Sequence, residues 1–194
     1  MFAKLSIALL LVVAATATFS LDRAIQGVYL SKISYCDVKT IENWNCDACP
    51  KFPTATNVTA AIDAGHDVAY LAKTNEIVIA FRGTVNLQGW VEDGDFIQTA
   101  YEPNTDANCT GCLVHEGLYW GYLELAKTLL PALQRLVYAH PTADILVTGH
   151  SMGAAQAGFA YPDVIRKISG HSGQKRLYNY GCPRLGNPAF VAWL

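Results

Sequence analysis

An α/β fold, with a mostly parallel sheet and helices on both faces, is what this 194-residue sequence predicts. Apolar residues make up 52% of the chain and the formal charge is only −2, which allows one sizeable core and gives no reason to expect nucleic acid as a partner. A helix-periodic stretch, Leu118 to Ala139, leads into the short apolar run Ile145 to Val147. That run ends in Gly149-His150-Ser151-Met152-Gly153 before an Ala-rich segment, giving strand, sharp turn and helix in succession.

Taken in order, the elements support this reading. Lys4 precedes the mostly apolar run Leu5 to Ala15, and Ala15-Thr16-Ala17 offers the small residues a signal peptidase needs. The expectation is a signal peptide at 1–17, a domain from 18 to 194, and secretion. The run falls short of the ~20 apolar residues of a spanning helix, so no transmembrane anchor is expected. Leu21 to Val38 has partly helical spacing and reads as a helix over one face of the sheet. Ile41 to Thr59, rich in Asn, Cys, Pro and Thr, reads as a stapled loop. Asp67 to Ala72 and Glu76 to Phe81 are strand-like runs joined by the hairpin turn Lys73-Thr74-Asn75. Val85 to Glu92 is a short segment whose apolar residues are Val85, Leu87, Trp90 and Val91, the composition of a mobile lid. Asp95 to Tyr101 resumes a strand pattern. In the helix from Leu118, apolar residues recur at 118, 122, 125, 126, 129, 130, 133 and 137, and Pro131 predicts a kink. Arg176 to Cys182 reads as a further strand. Gly170-His171-Ser172-Gly173 is a loop, since no apolar strand precedes it and Gln174 stands where a second nucleophile-turn glycine would be needed.

Six cysteines in an exported chain argue for disulfides, and Cys46/Cys49 and Cys109/Cys112 are close enough to close locally. Zinc or redox use of these pairs is disfavoured: they lie too far apart for a zinc ribbon, and neither opens a helix after a strand. No metal or cofactor is expected. Asn57-Val58-Thr59 and Asn108-Cys109-Thr110 are glycosylation sequons.

The chemistry concentrates at Ser151. A strained turn lifts its hydroxyl clear of the sheet, Gly149 and Gly153 let strand and helix approach, and the Met152 backbone N–H points where a tetrahedral oxyanion would form. Thr84, at the end of the Glu76 to Phe81 strand, offers a hydroxyl and an N–H as further donors for the same charge.

Several ordered motifs now carry a name. Phe81-Arg82-Gly83-Thr84, Trp90 with Asp93 and Asp95, Val114-His115-Glu116-Gly117, Thr148 to Gly153, and Tyr180-Gly181-Cys182-Pro183-Arg184-Leu185-Gly186-Asn187 with Phe190 together resemble the fungal-type class 3 lipases of the α/β-hydrolase fold. The resemblance runs from about Leu21 to the last residue. It implies a secreted carboxylic-ester hydrolase of the triacylglycerol lipase type, acting on a lipid or ester substrate at a lipid–water interface. Ser151 would be its nucleophile, Thr84 and the Met152 N–H its oxyanion hole, and Val85 to Glu92 its lid. It also implies three departures. Ala154 replaces a usual glycine, Pro162 interrupts a helix that is normally longer, and the family's acidic residue and histidine base follow the Pro-Arg-x-Gly-Asn segment by tens of residues. The expectation is therefore a truncated, C-terminally incomplete domain that is inactive alone, because a serine hydroxyl without a base is almost wholly protonated. None of the five histidines is expected to substitute; His150 should pack beneath the turn, His115 should be structural, and His66 and His171 should lie in loops. The family often ties a cysteine near position 36 to one near its C-terminus and buries the position of Cys182 on a strand, so Cys36 and Cys182 are expected to stay unpaired. Alternatives are an inactive secreted lipase-like binding protein, or a feruloyl or short-chain esterase or acyltransferase.

Overall fold

The computed structural model of the chain describes residues 19–61, 66–71, 73–84, 97–101 and 109–194. The expected signal peptide at 1–17, the expected lid residues Val85, Leu87, Trp90 and Val91, and the Asn108 sequon lie outside the described residues, as does the side chain of Asn57.

Helix α1 (Leu21–Ile33) begins at Ser20, whose hydroxyl accepts from the Arg23 N–H, with Asp22 in the first turn where the helix dipole favours it. It stops before the predicted Val38. Asp37 adopts an extended backbone (ψ 143°), so Val38–Glu42 becomes a separate short helix, α2. The predicted loop from Ile41 to Thr59 also holds more structure than expected: a 3-10 turn at Cys49–Lys51 and strand β1 (Ala55–Ala61). β1 lies at the sheet edge and its register shifts between Thr56 and Thr59, which removes the simple alternation that marks a strand.

The hairpin is as expected. β2 (His66–Leu71) and β3 (Glu76–Phe81) pair antiparallel around Asn75, whose φ of 48° suits a residue that tolerates left-handed backbone. His66 opens β2 and is not in a loop. The strand predicted at Asp95 to Tyr101 is realised among the described residues only as β4 (Gln98–Ala100), which pairs with β5 (Leu113–His115) in a two-stranded ladder separate from the main sheet. Then follow α3 (Glu116–Ala139), β6 (Asp144–His150), α4 (Met152–Lys167), β7 (Lys175–Tyr180) and α5 (Pro188–Trp193). Pro131 and Pro162 both lie inside helices. α3 runs through Pro131, and α4 runs through Pro162 to Lys167, so the predicted interruption does not occur. A proline costs an interior helix about 3 kcal/mol, and α4 offsets this with a face buried from Gly153 to Val164.

The main sheet has the order β1-β2-β3-β6-β7; the three strands that bear the site, β3, β6 and β7, are parallel, and β1 and β2 extend it as an antiparallel arm. Alternation along the strands builds two cores. Ile77, Ile79, Phe81, Ile145 and Val147 face α3 and α4; Val78, Ala80 and Leu146 face α1 and the Cys46–Cys49 loop. The two disulfides are Cys46–Cys49 and Cys109–Cys112, and Cys36 and Cys182 stand outside them. Cys182 is exposed, not buried on a strand, because the chain leaves β7 at Gly181 (φ 58°).

At the N-terminal end of the parallel strands Glu76 is fully buried, bound by Arg23 at 2.7 Å and by Gln26. Burial pushes its carboxyl above the usual range, and Arg23 and Gln26 only partly oppose this. A raised folded pKa means stability that is fully present below about pH 4.3, the unfolded glutamate value, and lost as pH rises through the folded value. Urea unfolding across pH should show this decline in the native sequence, and Glu76→Gln should flatten it. An unchanged pH profile in the variant would show that Glu76 does not carry the effect.

Candidate active site

Ser151 sits between β6 and α4 at φ 57°, ψ −126°, a left-handed backbone that serine rarely adopts. Its neighbours enforce the strain. A Cβ on Gly149 would overlap the Gly153 carbonyl, and one on Gly153 would overlap the carbonyl of Phe81, so strand, helix and the end of β3 meet at backbone contact distance. The Ser151 N–H donates to the Tyr180 carbonyl at 2.9 Å, and its carbonyl accepts the Ala154 N–H at 2.9 Å, fixing the turn to β7 on one side and α4 on the other. Among the described residues nothing hydrogen-bonds the Ser151 hydroxyl.

The other two predicted residues meet each other beside this turn. Met152 is the first residue of α4, so its backbone N–H has no intrahelical acceptor. The Thr84 hydroxyl lies 3.2 Å from the Met152 sulfur. A thioether is a weak acceptor, which leaves that hydroxyl available to a better one.

Three histidine side chains, those of His115, His150 and His171, bond groups other than the Ser151 hydroxyl. His115 caps α3, its Nδ1 accepting the Leu118 N–H at 3.4 Å, in keeping with a structural role. His171 lies in a loop with Nε2 2.6 Å from the Ala143 carbonyl. His140 is the C-cap of α3. His150 departs from expectation: it is exposed, not packed beneath the turn, with Nδ1 2.9 Å from the hydroxyl of Tyr35. On β6 it alternates onto the α1 face, where Tyr35 follows the end of that helix. The Tyr35–His150 pair was missed because its members are 115 positions apart and Tyr35 reads as helix scaffold. No group of three His, Cys, Asp or Glu side chains among the described residues is placed to hold a metal. No helix among them is long and apolar enough to cross a membrane.

A serine at the apex of a strand–turn–helix, on a sheet covered by helices on both faces, defines an α/β-hydrolase. Comparison with known proteins agrees. Residues 78–194 match the class 3 lipase family. A lipase of Rhizopus niveus is 30% identical over 190 residues, which cover 94% of this chain and 47% of that protein. Secreted mono- and diacylglycerol lipase A of Penicillium cyclopium is 32% identical over 154 residues, 75% of this chain and 48% of that one. The solved triacylglyceride lipase of Rhizomucor miehei superposes with a TM-score of 0.75 at 26% identity, covering 90% of this chain and 68% of that chain. The chain belongs to the class 3 lipase family, and it spans about half the length of these sequence relatives.

Proposed function

We propose that this chain carries the nucleophile and oxyanion hole of a secreted lipase that hydrolyses acylglycerol esters through an acyl-Ser151 intermediate. The observation that carries the reading is the strained Ser151 turn, with Met152 at the start of α4 and the Thr84 hydroxyl beside it. In the first half-reaction the Ser151 oxygen attacks the ester carbonyl carbon and gives up its proton to a base. Thr84 turns from sulfur to the developing oxyanion, joined by the Met152 N–H, and such a donor is worth about 3 kcal/mol in the transition state. Collapse expels the alcohol, which takes the proton, and water then releases the fatty acid by the reverse sequence.

With His115, His150 and His171 bonded to other groups, the base that this reading requires is another residue. These 194 residues by themselves are accordingly expected to leave esters intact. The relatives' names support acylglycerols as substrates and secretion as the destination. Dependence on a lipid interface rests on the sequence of Val85 to Glu92 alone.

The test is fatty-acid release by the gene's full product from emulsified mono-, di- and triacylglycerols, and from a short-chain ester on both sides of its solubility limit. A step in rate at that limit and turnover of emulsions are expected. Smooth saturation on the soluble ester with no attack on emulsions would identify a feruloyl-type or short-chain esterase instead.

A further inference from the structure

Tyr35 occupies a position that the reaction above leaves unexplained. Its hydroxyl lies 2.9 Å from His150 Nδ1 and 3.5 Å from the His150 carbonyl. The same oxygen touches Gly83, where an added Cβ would overlap both the Tyr35 hydroxyl and the His150 carbonyl. One phenol therefore meets the residue before Thr84 and the residue before Ser151.

The sheet does not hold those two segments together. The last parallel pair of β3 and β6 is Phe81 with Gly149, so Thr84 stands three residues and Ser151 two residues past the ladder. Backbone packing brings Gly83 against the His150 carbonyl, and the Tyr35 hydroxyl sits where the two meet. A cavity of about 270 Å³, lined by Val28, Ser31, Lys32, Tyr35, His150 and Tyr180, opens against both rings. On that side, the hydroxyl contact ties the Tyr35 and His150 side chains to each other. Burial raises the Tyr35 hydroxyl above its ordinary range, against the smaller pull of the Gly83 backbone and Arg82, so the phenol stays protonated at neutral pH.

We infer that Tyr35 is a positioning residue: bridging Gly83 and His150, its hydroxyl sets the separation between the Thr84 oxyanion donor and the Ser151 nucleophile. The inference rests on the assignment of those two roles above. Thr84 must reach the oxyanion while Ser151 reaches carbon, and a misplacement of about 1 Å in such an arrangement costs on the order of a hundredfold in rate.

The test uses the gene's full product on a soluble short-chain ester, with kcat, KM and Tm measured for each variant. Tyr35→Phe removes only the hydroxyl and should lower kcat by about 10- to 100-fold with KM within about twofold and Tm little changed. His150→Phe should do the same. His150→Asn places an amide oxygen near the position of Nδ1 and should recover most of the lost kcat. Wild-type kcat in Tyr35→Phe would overturn the inference. So would a kcat that falls only in step with Tm, with His150→Asn as impaired as His150→Phe, because that pattern marks a purely structural contact. Retention of wild-type turnover by Ser151→Ala would instead overturn the nucleophile assignment on which the inference rests.

Discussion

Replacing Ser151 with alanine in the gene's full product should lower kcat for ester hydrolysis by about a millionfold, the scale seen when a serine nucleophile is removed from an intact hydrolase. The proposed oxyanion donors would remain, since the Met152 N–H belongs to the backbone and Thr84 is untouched. They alone leave a residue of roughly 10³- to 10⁴-fold over water. Steady-state hydrolysis of an activated ester, together with loss of covalent phosphonylation at the peptide containing residue 151, checks the prediction. A loss below about tenfold would sink the assignment. Ser151→Gly separates strain from chemistry. Glycine adopts φ 57° without penalty, and a left-handed non-glycine residue costs on the order of 1–3 kcal/mol, so this variant should be more thermostable and equally inactive.

Phe159→Ala should cost about 3–5 kcal/mol of stability, the range for truncating a buried phenylalanine. Phe159 is fully buried on α4, and its ring centroid lies 5.5 Å from Tyr119, 6.2 Å from Tyr122 and 5.7 Å from Phe190. The site has little freedom to collapse. Tyr122 is tied by a 2.5 Å hydrogen bond to the buried Asp163, which Lys167 also holds at 2.8 Å, and Phe190 is anchored by the Asn187 cap of α5. Against a typical total of about 5–15 kcal/mol, the loss would be roughly a fifth or more of the fold's stability. Urea unfolding measures it, with the exposed Tyr138→Ala as a control expected within about 0.5 kcal/mol. A loss near 1 kcal/mol for Phe159→Ala would mean that the aromatic cluster closes over the gap.

What the sequence disclosed and what it withheld divide along the range of the interactions involved. The Ser151 turn was legible because each requirement, small neighbours, preceding strand and following helix, lies within a few positions. The β2–β3 hairpin and the two disulfides were legible for the same reason. β1 was not, because its strand character comes from pairing with β2 and not from its own spelling. The end of α1 and the continuity of α4 through Pro162 were misjudged because backbone geometry at Asp37 and burial of the α4 face outweigh local propensity. The pocket-side placement of His150, its bond to Tyr35 and the exposure of Cys182 depend on contacts or chain turns that no short motif encodes.

The register of β3 against β6 also has a kinetic meaning. β1, β2 and β3 are joined by short connections and pair in order, whereas Phe81 meets Gly149 only after the chain has closed a loop of 68 positions. Closing that loop loses entropy before any contact rewards it, so the antiparallel arm is free to form while the chain beyond it is still searching. Thr84 and Ser151 lie on opposite sides of the late closure. A refolding molecule would thus acquire its hairpin before Thr84 is brought to Ser151, and assembly of the proposed site should trail regain of secondary structure.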